Sequence, residues 1–184
     1  HICSKNHIIK EFKEIKVLWI ANLKPIKQPE KFIQIARECK SNPEISFEMI
    51  GRTGAYKKVI EEANSEIPNF QYLGELKNEE VNKLLCSHHI LINTSKSEGF
   101  SNTFVQAWMR KVGVISMNSN PDEIITSNKI GYVEQDLKKI VEILKSLDKE
   151  KQLIQEIGNS AYTYAIKHHS TEKNLNKIIK LMNL

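Results

Sequence analysis

At 184 residues and 21.2 kDa, the chain suits one ordinary domain, or one half of a two-domain protein, and is long enough to fold without a disulfide framework or a structural metal. Its 40% hydrophobic and 27% charged residues exclude a disordered chain, and no apolar run reaches the length of a membrane-crossing helix. The net charge of +5, with a pI of about 9.0, suits an anionic ligand, a nucleic acid or an acidic membrane surface; lysines interleaved with glutamates read as a solvated face, so nucleic-acid binding is disfavoured.

Taken in chain order, apolar β-branched runs alternate with amphipathic stretches. Residues 16–22 (KVLWIAN) form a nearly continuous apolar run, the pattern of a buried parallel strand. A helix starts near Pro29, a suitable first-turn residue, with Phe32, Ile33, Ile35 and Ala36 inward, and stops at Ser41-Asn42-Pro43. Residues 45–51 form the second strand, followed by a turn at Gly51–Gly54 and a helix over 56–65. Residues 70–73 are the third strand, closed by Gly74, and 78–87 the next helix. Residues 90–94 (ILINT) are the fourth strand, followed by a loop over 95–102 and a helix over 103–111. Strands at 114–117 and 131–134 precede a helix at 137–147, whose apolar residues recur with a period of 3.6. The tail, over 149–168 and 171–182, reads as helix with no strand pattern.

Strand–helix–strand units of this length imply an α/β fold: a Rossmann-like, three-layer domain with a parallel sheet of about six strands and C-terminal helices. The domain is expected over 15–184, with 1–14 as the connection to a missing N-terminal domain; the chain begins with His1 and reads as a piece of a longer protein. The three cysteines, Cys3, Cys39 and Cys86, are widely spaced and form no CxxC pair, so reduced, buried thiols are expected. Neither His88-His89 nor His168-His169 has a third ligand at metal-binding spacing, and no metal is expected; Trp19 and Trp108 fall on apolar faces and read as core.

Open parallel sheets bind ligands beyond the carboxyl ends of their strands, so the loops there carry the functional signal. They hold Asn22, Lys24 and Lys27 after the first strand, Gly51, Arg52 and Gly54 after the second, and residues 95–103 after the fourth. Glycines, cations and a loop feeding a helix start suit a phosphate group. No GxxxxGK[ST] or GxGxxG pattern is present, and no carboxylate cluster sits at the strand ends to hold magnesium.

The stretch Glu98-Gly99-Phe100-Ser101-Asn102-Thr103-Phe104-Val105-Gln106 resembles the family 4, or group 1, retaining glycosyltransferases of the GT-B fold. That family carries an EGF-type loop and a helix, with a Glu, seven intervening residues and a second Glu; here the first Glu matches and Gln106 replaces the second. VLWIANLKPIKQPEKFIQIA resembles the family's opening strand, its diphosphate-binding loop and the following helix. Lys27 stands at the family's Lys position and Asn22 at its Arg position. FEMIGRTGAY, NFQYLGEL and ILINTSKSEGF follow in family order, so the resemblance covers about 17–133.

This resemblance implies the C-terminal, donor-binding half of a hexosyltransferase-type enzyme in glycan or cell-surface polysaccharide synthesis. Glu98 would hold the donor sugar and Lys27 the diphosphate, the two catalytic assignments. Gln106 would meet the ribose, and Asn22, Gly51, Arg52, Gly54, Gly99, Phe100, Ser101, Asn102 and Thr103 would complete the nucleotide-sugar site. Lys24 or Arg52 would replace the family's missing Arg. The donor would be UDP- or GDP-linked, with no cofactor and no metal in the transfer. The acceptor domain would be the partner, and the fragment alone would be inactive. The expected location is cytoplasmic, extending to the inner membrane face through peripheral contact of the full protein. Two alternatives stand beside it: a GT-B nucleotide-sugar 2-epimerase and a non-catalytic flavodoxin-like binding module.

Overall fold

The computed structural model describes residues 10–170. Six strands, β1 (Ile15–Ile20), β2 (Ile45–Ile50), β3 (Phe70–Gly74), β4 (Ile90–Asn93), β5 (Gly113–Ser116) and β6 (Gly131–Val133), form one sheet. Every pairing is parallel, in the order β3-β2-β1-β4-β5-β6. This is the doubly wound order, whose direction of progression reverses between β1 and β4.

The helices are α1 (Pro29–Glu38), α2 (Lys57–Glu66), α3 (Asn78–Leu85), α4 (Asn102–Trp108), α5 (Ile124–Ser127), α6 (Leu137–Lys149) and α7 (Lys151–His169). Successive side chains of β1 serve opposite faces. Ile15, Val17 and Trp19 pack with Phe32 of α1, Ile60 of α2 and Leu144 of α6, whereas Leu18 packs with Leu85 of α3 and Phe104 and Trp108 of α4. A central strand covered on both faces must be apolar throughout, which is why β1 reads as a run and not as an alternation. The long helix α7 serves both layers. Its Ile154 and Ile157 join the first, and Ala161 and Ala165 the second.

Close approaches fix the geometry at both ends of the sheet. Gly51, just past β2, has φ +143°, and a Cβ there would stand 1.7 Å from the Ala21 carbonyl oxygen. Only glycine lets the ends of β1 and β2 meet in this way. Gly158 of α7 lies against the Lys111 carbonyl, which a Cβ would approach to 2.5 Å.

The element boundaries shift by one to three residues from the sequence expectation: β1 spans Ile15–Ile20, not 16–22, and α3 ends at Leu85, not 87. The helix after β4 is regular only over Asn102–Trp108, not 103–111. Its end closes in a Schellman motif, with Val112 N–H on Ala107 O at 3.0 Å, Lys111 N–H on Trp108 O at 3.1 Å, and Lys111 left-handed at φ +56°. The first tail helix starts two residues late because α6 runs on to Lys149 and Glu150 breaks the chain before α7. The four-residue helix α5 and the 3-10 turns Pro25–Lys27, Gly54–Tyr56 and Pro121–Glu123 were not anticipated. The helix expected at 171–182 lies outside the described residues.

Two buried histidines meet the amino end of the sheet. His89 accepts the Lys16 N–H at Nδ1 (2.9 Å) and donates from Nε2 to Glu11 O (3.0 Å), so the neutral ring fills both bonds. Burial, reinforced by the charge of Lys10, lowers its pKa to about 4. His88 donates from Nδ1 to Leu84 O at 2.7 Å and places Nε2 3.1 Å from Glu48 Oε2. Cys39 is buried with a free thiol, as expected; Cys86 departs from the expectation of reduced thiols, being disulfide-bonded.

Candidate functional site

The reversal between β1 and β4 opens a crevice at their carboxyl ends, and two loops fill its mouth. After β1, Pro25 sets φ for the first residue of a 3-10 turn that ends at Lys27. Gln28 then takes a left-handed conformation (φ +47°), and Pro29 opens α1. Lys27 is thereby held at the strand end, facing the loop after β4.

That loop is tied down from several sides. Trp19 Nε1–H donates to Thr94 Oγ1 at 2.9 Å, and Thr94 Oγ1–H donates to the Lys27 carbonyl at 2.7 Å. Lys96 N–H donates to Ile26 O at 2.8 Å, joining the two loops by backbone. From the loop after β5, Asn118 donates to Ser95 O at 2.9 Å, and buried Ser119 shares its hydroxyl between the carbonyls of Glu98 and Gly99, each at 3.2 Å. Chained hydrogen bonds of this kind polarise one another and leave the loop few alternative arrangements.

At the centre, Lys27 Nζ stands 3.0 Å from Glu98 Oε1, while Asn93 Nδ2 donates to Glu98 Oε2 at 2.6 Å. The Lys27 and Glu98 side chains are only 26% and 18% exposed, so water screens their attraction less than it would a surface pair. Burial pushes the Glu98 carboxyl up, but hydrogen bonds from Asn93, Lys27 and Ser95 and the charge of Lys27 outweigh it, holding the group below the ordinary carboxylate range. The result is an ionised, oriented acceptor beside a cation, at the position where open α/β sheets bind ligands.

The other expected site residues are distributed around this pair. Thr103 lines the crevice with Lys27, Asn93 and Glu98. Ser101 and Thr103 share a hydroxyl hydrogen bond of 2.8 Å at the start of α4, and Asn102 is exposed there. Gly99 is open to solvent, with nothing within 4 Å of where its Cβ would be. Gln106, one turn into α4, donates from Nε2 to Asn78 Oδ1 at 2.9 Å and so bridges α4 to the start of α3; it does not touch Lys27 or Glu98.

Five positions are engaged away from the pair. Asn22 accepts the Arg52 N–H at 3.4 Å, clasping the loops after β1 and β2. Arg52 turns its guanidinium to Glu75, 2.7 Å away, and not toward Lys27. The closeness of Gly51 is to the Ala21 backbone, and Tyr72 O–H donates to its carbonyl. Gly54 is left-handed at φ +52° in the turn leading to α2. Phe100, although 42% exposed, packs edge-on against Trp108 and faces His169 at the end of α7.

Sequence reasoning missed Asn93, Asn118 and Ser119, and assigned Trp19 to the core alone. The available signal was a polar residue closing the apolar run of β4, at the strand end where ligands gather. Among the described residues no cluster of three or more His, Cys, Asp or Glu side chains could hold a metal. A larger cavity, of about 270 Å3, lies at the amino end of the sheet between Lys10, Lys111 and α7, away from all these groups.

Residues 4–164 match the model of the family described as glycosyl transferases group 1. Among solved structures, the chain is similar to a mutant of S. aureus TarM in complex with fondaparinux, alpha-GlcNAc-glycerol and UDP, at 25% identity and a TM-score of 0.76, covering 94% of this chain and 36% of that one. It is similar in fold to Anabaena HepE in complex with UDP-glucose, at 15% identity and a TM-score of 0.77, covering 92% of this chain and 49% of that one. A third likeness is the C-terminal domain of the group 1 family protein LpcC from Francisella tularensis, at 18% identity and a TM-score of 0.72, covering 85% of this chain and 87% of that domain. The chain thus spans between a third and a half of the TarM and HepE chains. No curated protein sequence matches it.

Proposed function

The chain belongs to the group 1 glycosyl transferases, and we propose that it is the donor-binding half of an enzyme that transfers a sugar from a UDP- or GDP-linked donor to an acceptor, with retention at the anomeric carbon. The acceptor domain would precede it, and the transfer would serve glycan or cell-surface polysaccharide synthesis. The likeness to an isolated C-terminal domain, and to about half of a chain crystallised with UDP-glucose, supports this division of labour. The observation that carries the reading is the Lys27–Glu98 pair at the β1–β4 reversal.

In this reading the donor lies along the carboxyl edge of the sheet. Lys27 leaves Glu98 for the diphosphate and stabilises the negative charge that grows there as the glycosidic bond breaks. Glu98 accepts hydrogen bonds from sugar hydroxyls and favours the positive charge developing on the ring. Thr103 and its neighbours at the start of α4 border the phosphates. Gln106 meets the ribose from the side of α4 that faces α3. Arg52 takes the place of the family's Arg only by releasing Glu75. No metal enters the transfer: a lysine supplies the positive charge.

Calorimetric titration of this chain with UDP, GDP and ADP in EDTA tests the reading. One nucleoside diphosphate binds without divalent metal, and Lys27→Ala weakens it about tenfold or more, the loss of a charged hydrogen bond, while the free nucleoside is unaffected. Strict dependence on magnesium, tighter binding to DNA than to every nucleotide, or an equal loss for nucleoside and diphosphate would overturn it.

A further inference from the structure

Glu98 is held at both oxygens, but the two partners differ in kind. Lys27 reaches Oε1 through a long, rotatable stem from a 3-10 turn. Asn93 reaches Oε2 through a short stem from the last residue of β4, whose backbone is fixed on β5 by the Met117 N–H on Asn93 O at 2.9 Å. The Asn93 amide cannot be the other way round. Its Oδ1 accepts the Ser95 N–H at 3.0 Å, and since a backbone N–H can only donate, the Nδ2 group must face Glu98. Ser119 meanwhile holds the backbone carbonyl of Glu98 from the β5 side.

We propose that Asn93 is a positioning residue for Glu98: it keeps the carboxylate anchored and aimed into the crevice when Lys27 releases it for an incoming diphosphate. This rests on the reading of Lys27 and Glu98 as donor-binding groups. Without Asn93, a carboxylate abandoned by its lysine would be half-buried with one weak hydroxyl partner, Ser95, and would rotate toward water or take up a proton. With it, one oxygen stays fixed and the freed oxygen faces the sugar. Among the described residues, Lys27 is the one charged group whose field shifts Glu98; Asn93 and Ser95 act on it as neutral donors.

The test follows the Glu98 carboxyl carbon by NMR as pH is lowered, in the parent chain and in Asn93→Ser and Asn93→Asp, each with and without Lys27→Met. Asn93→Ser retains a hydroxyl for the Ser95 N–H but is too short for Glu98. Asn93→Asp is isosteric, covers the case in which the serine variant fails to fold, and sets two carboxylates in contact. The Glu98 midpoint rises in Asn93→Ser, rises further in Asn93→Asp, and does both in the Lys27→Met background. A midpoint unmoved by either substitution overturns the proposal, as does a change that needs Lys27.

A second readout is the affinity for the nucleotide-sugar relative to its nucleoside diphosphate, UDP-glucose against UDP or GDP-mannose against GDP, which falls about tenfold in Asn93→Ser because the sugar contact alone is disturbed. A merely structural role would weaken both nucleotides together, and that outcome also overturns the proposal. If the parent binds neither UDP nor GDP, nor either nucleotide-sugar, the donor-binding reading fails at that step, and the proposal, which depends on it, falls with it even where the titration moves.

Discussion

By the resemblance of the loop after β4, Glu98 and Gln106 would stand at the two positions at which the family places carboxylates, yet their surroundings differ. Glu98 has three hydrogen-bond donors, one of them a cation, that favour its charged form. Gln106 meets a neutral amide, with its own nitrogen spent on Asn78 Oδ1 and its carbonyl oxygen left as an acceptor. An amide so oriented offers a diol one acceptor where a carboxylate offers two. Gln106→Glu is therefore expected to strengthen nucleotide binding by about 1 kcal/mol, or fivefold, through charge-assisted bonds, after Asn78 turns its amide to donate. Repulsion from the diphosphate works against this gain, but the two ribose hydroxyls outweigh it. The check is the affinity for ribo- against 2′,3′-dideoxy-nucleotides in both proteins. A variant as indifferent to the two sugars as the parent would leave Gln106 as a helix residue that braces α3. Lys27 and Glu98 were legible because a strand end, a Lys and an EGF loop form a local pattern. Asn93 was not, because its role depends on a side-chain direction five residues from its partner. Nor could sequence tell that Arg52 would choose Glu75.

At the scale of elements, the strands were legible because they are short runs of mostly β-branched, aromatic and other apolar residues with Gly, Pro, Asn or Ser close by, and a sheet covered on both faces demands such runs. What escaped were elements too short to show a period: α5 with four residues, and the 3-10 turn that carries Lys27. Adjacency was also hidden. Lys27 and Glu98 are 71 residues apart in sequence, and only the pairing of β1 with β4 brings their loops together. On the other side of β1, the pairing with β2 relies on the strand ends staying close, which makes Gly51 a sensitive point. Gly51→Ala puts a methyl group on the Ala21 carbonyl and an L side chain at φ +143°, so the β1 and β2 ends must part. A loss of about 3 kcal/mol is expected from urea denaturation, with Ala at exposed Gly99 as the near-neutral control. A loss at Gly51 no larger than at Gly99 would mean that the two strand ends yield easily.

For the molecule as a whole, two layers of helices on a parallel sheet leave, among the described residues, openings of opposite character at the two ends of the sheet. The carboxyl end has a small crevice with an ion pair and a bonded network. The amino end has the larger cavity, where Lys10 donates to the carbonyls of His88 and Lys111 and burial lowers its pKa to about 7. Size alone would favour the amino end; the preset charges and the strand reversal favour the carboxyl end. The net charge of +5 does not discriminate, since lysines are present at both. A crystal structure of the chain soaked with UDP-glucose and with GDP-mannose decides between them. The diphosphate of one donor is expected on Lys27 Nζ and its sugar on Glu98, with the Asn93–Glu98 bond intact and the Lys27–Glu98 contact opened. A nucleotide held in the cavity between Lys10 and α7, or one bound at the carboxyl end with Lys27 still on Glu98, would contradict that expectation.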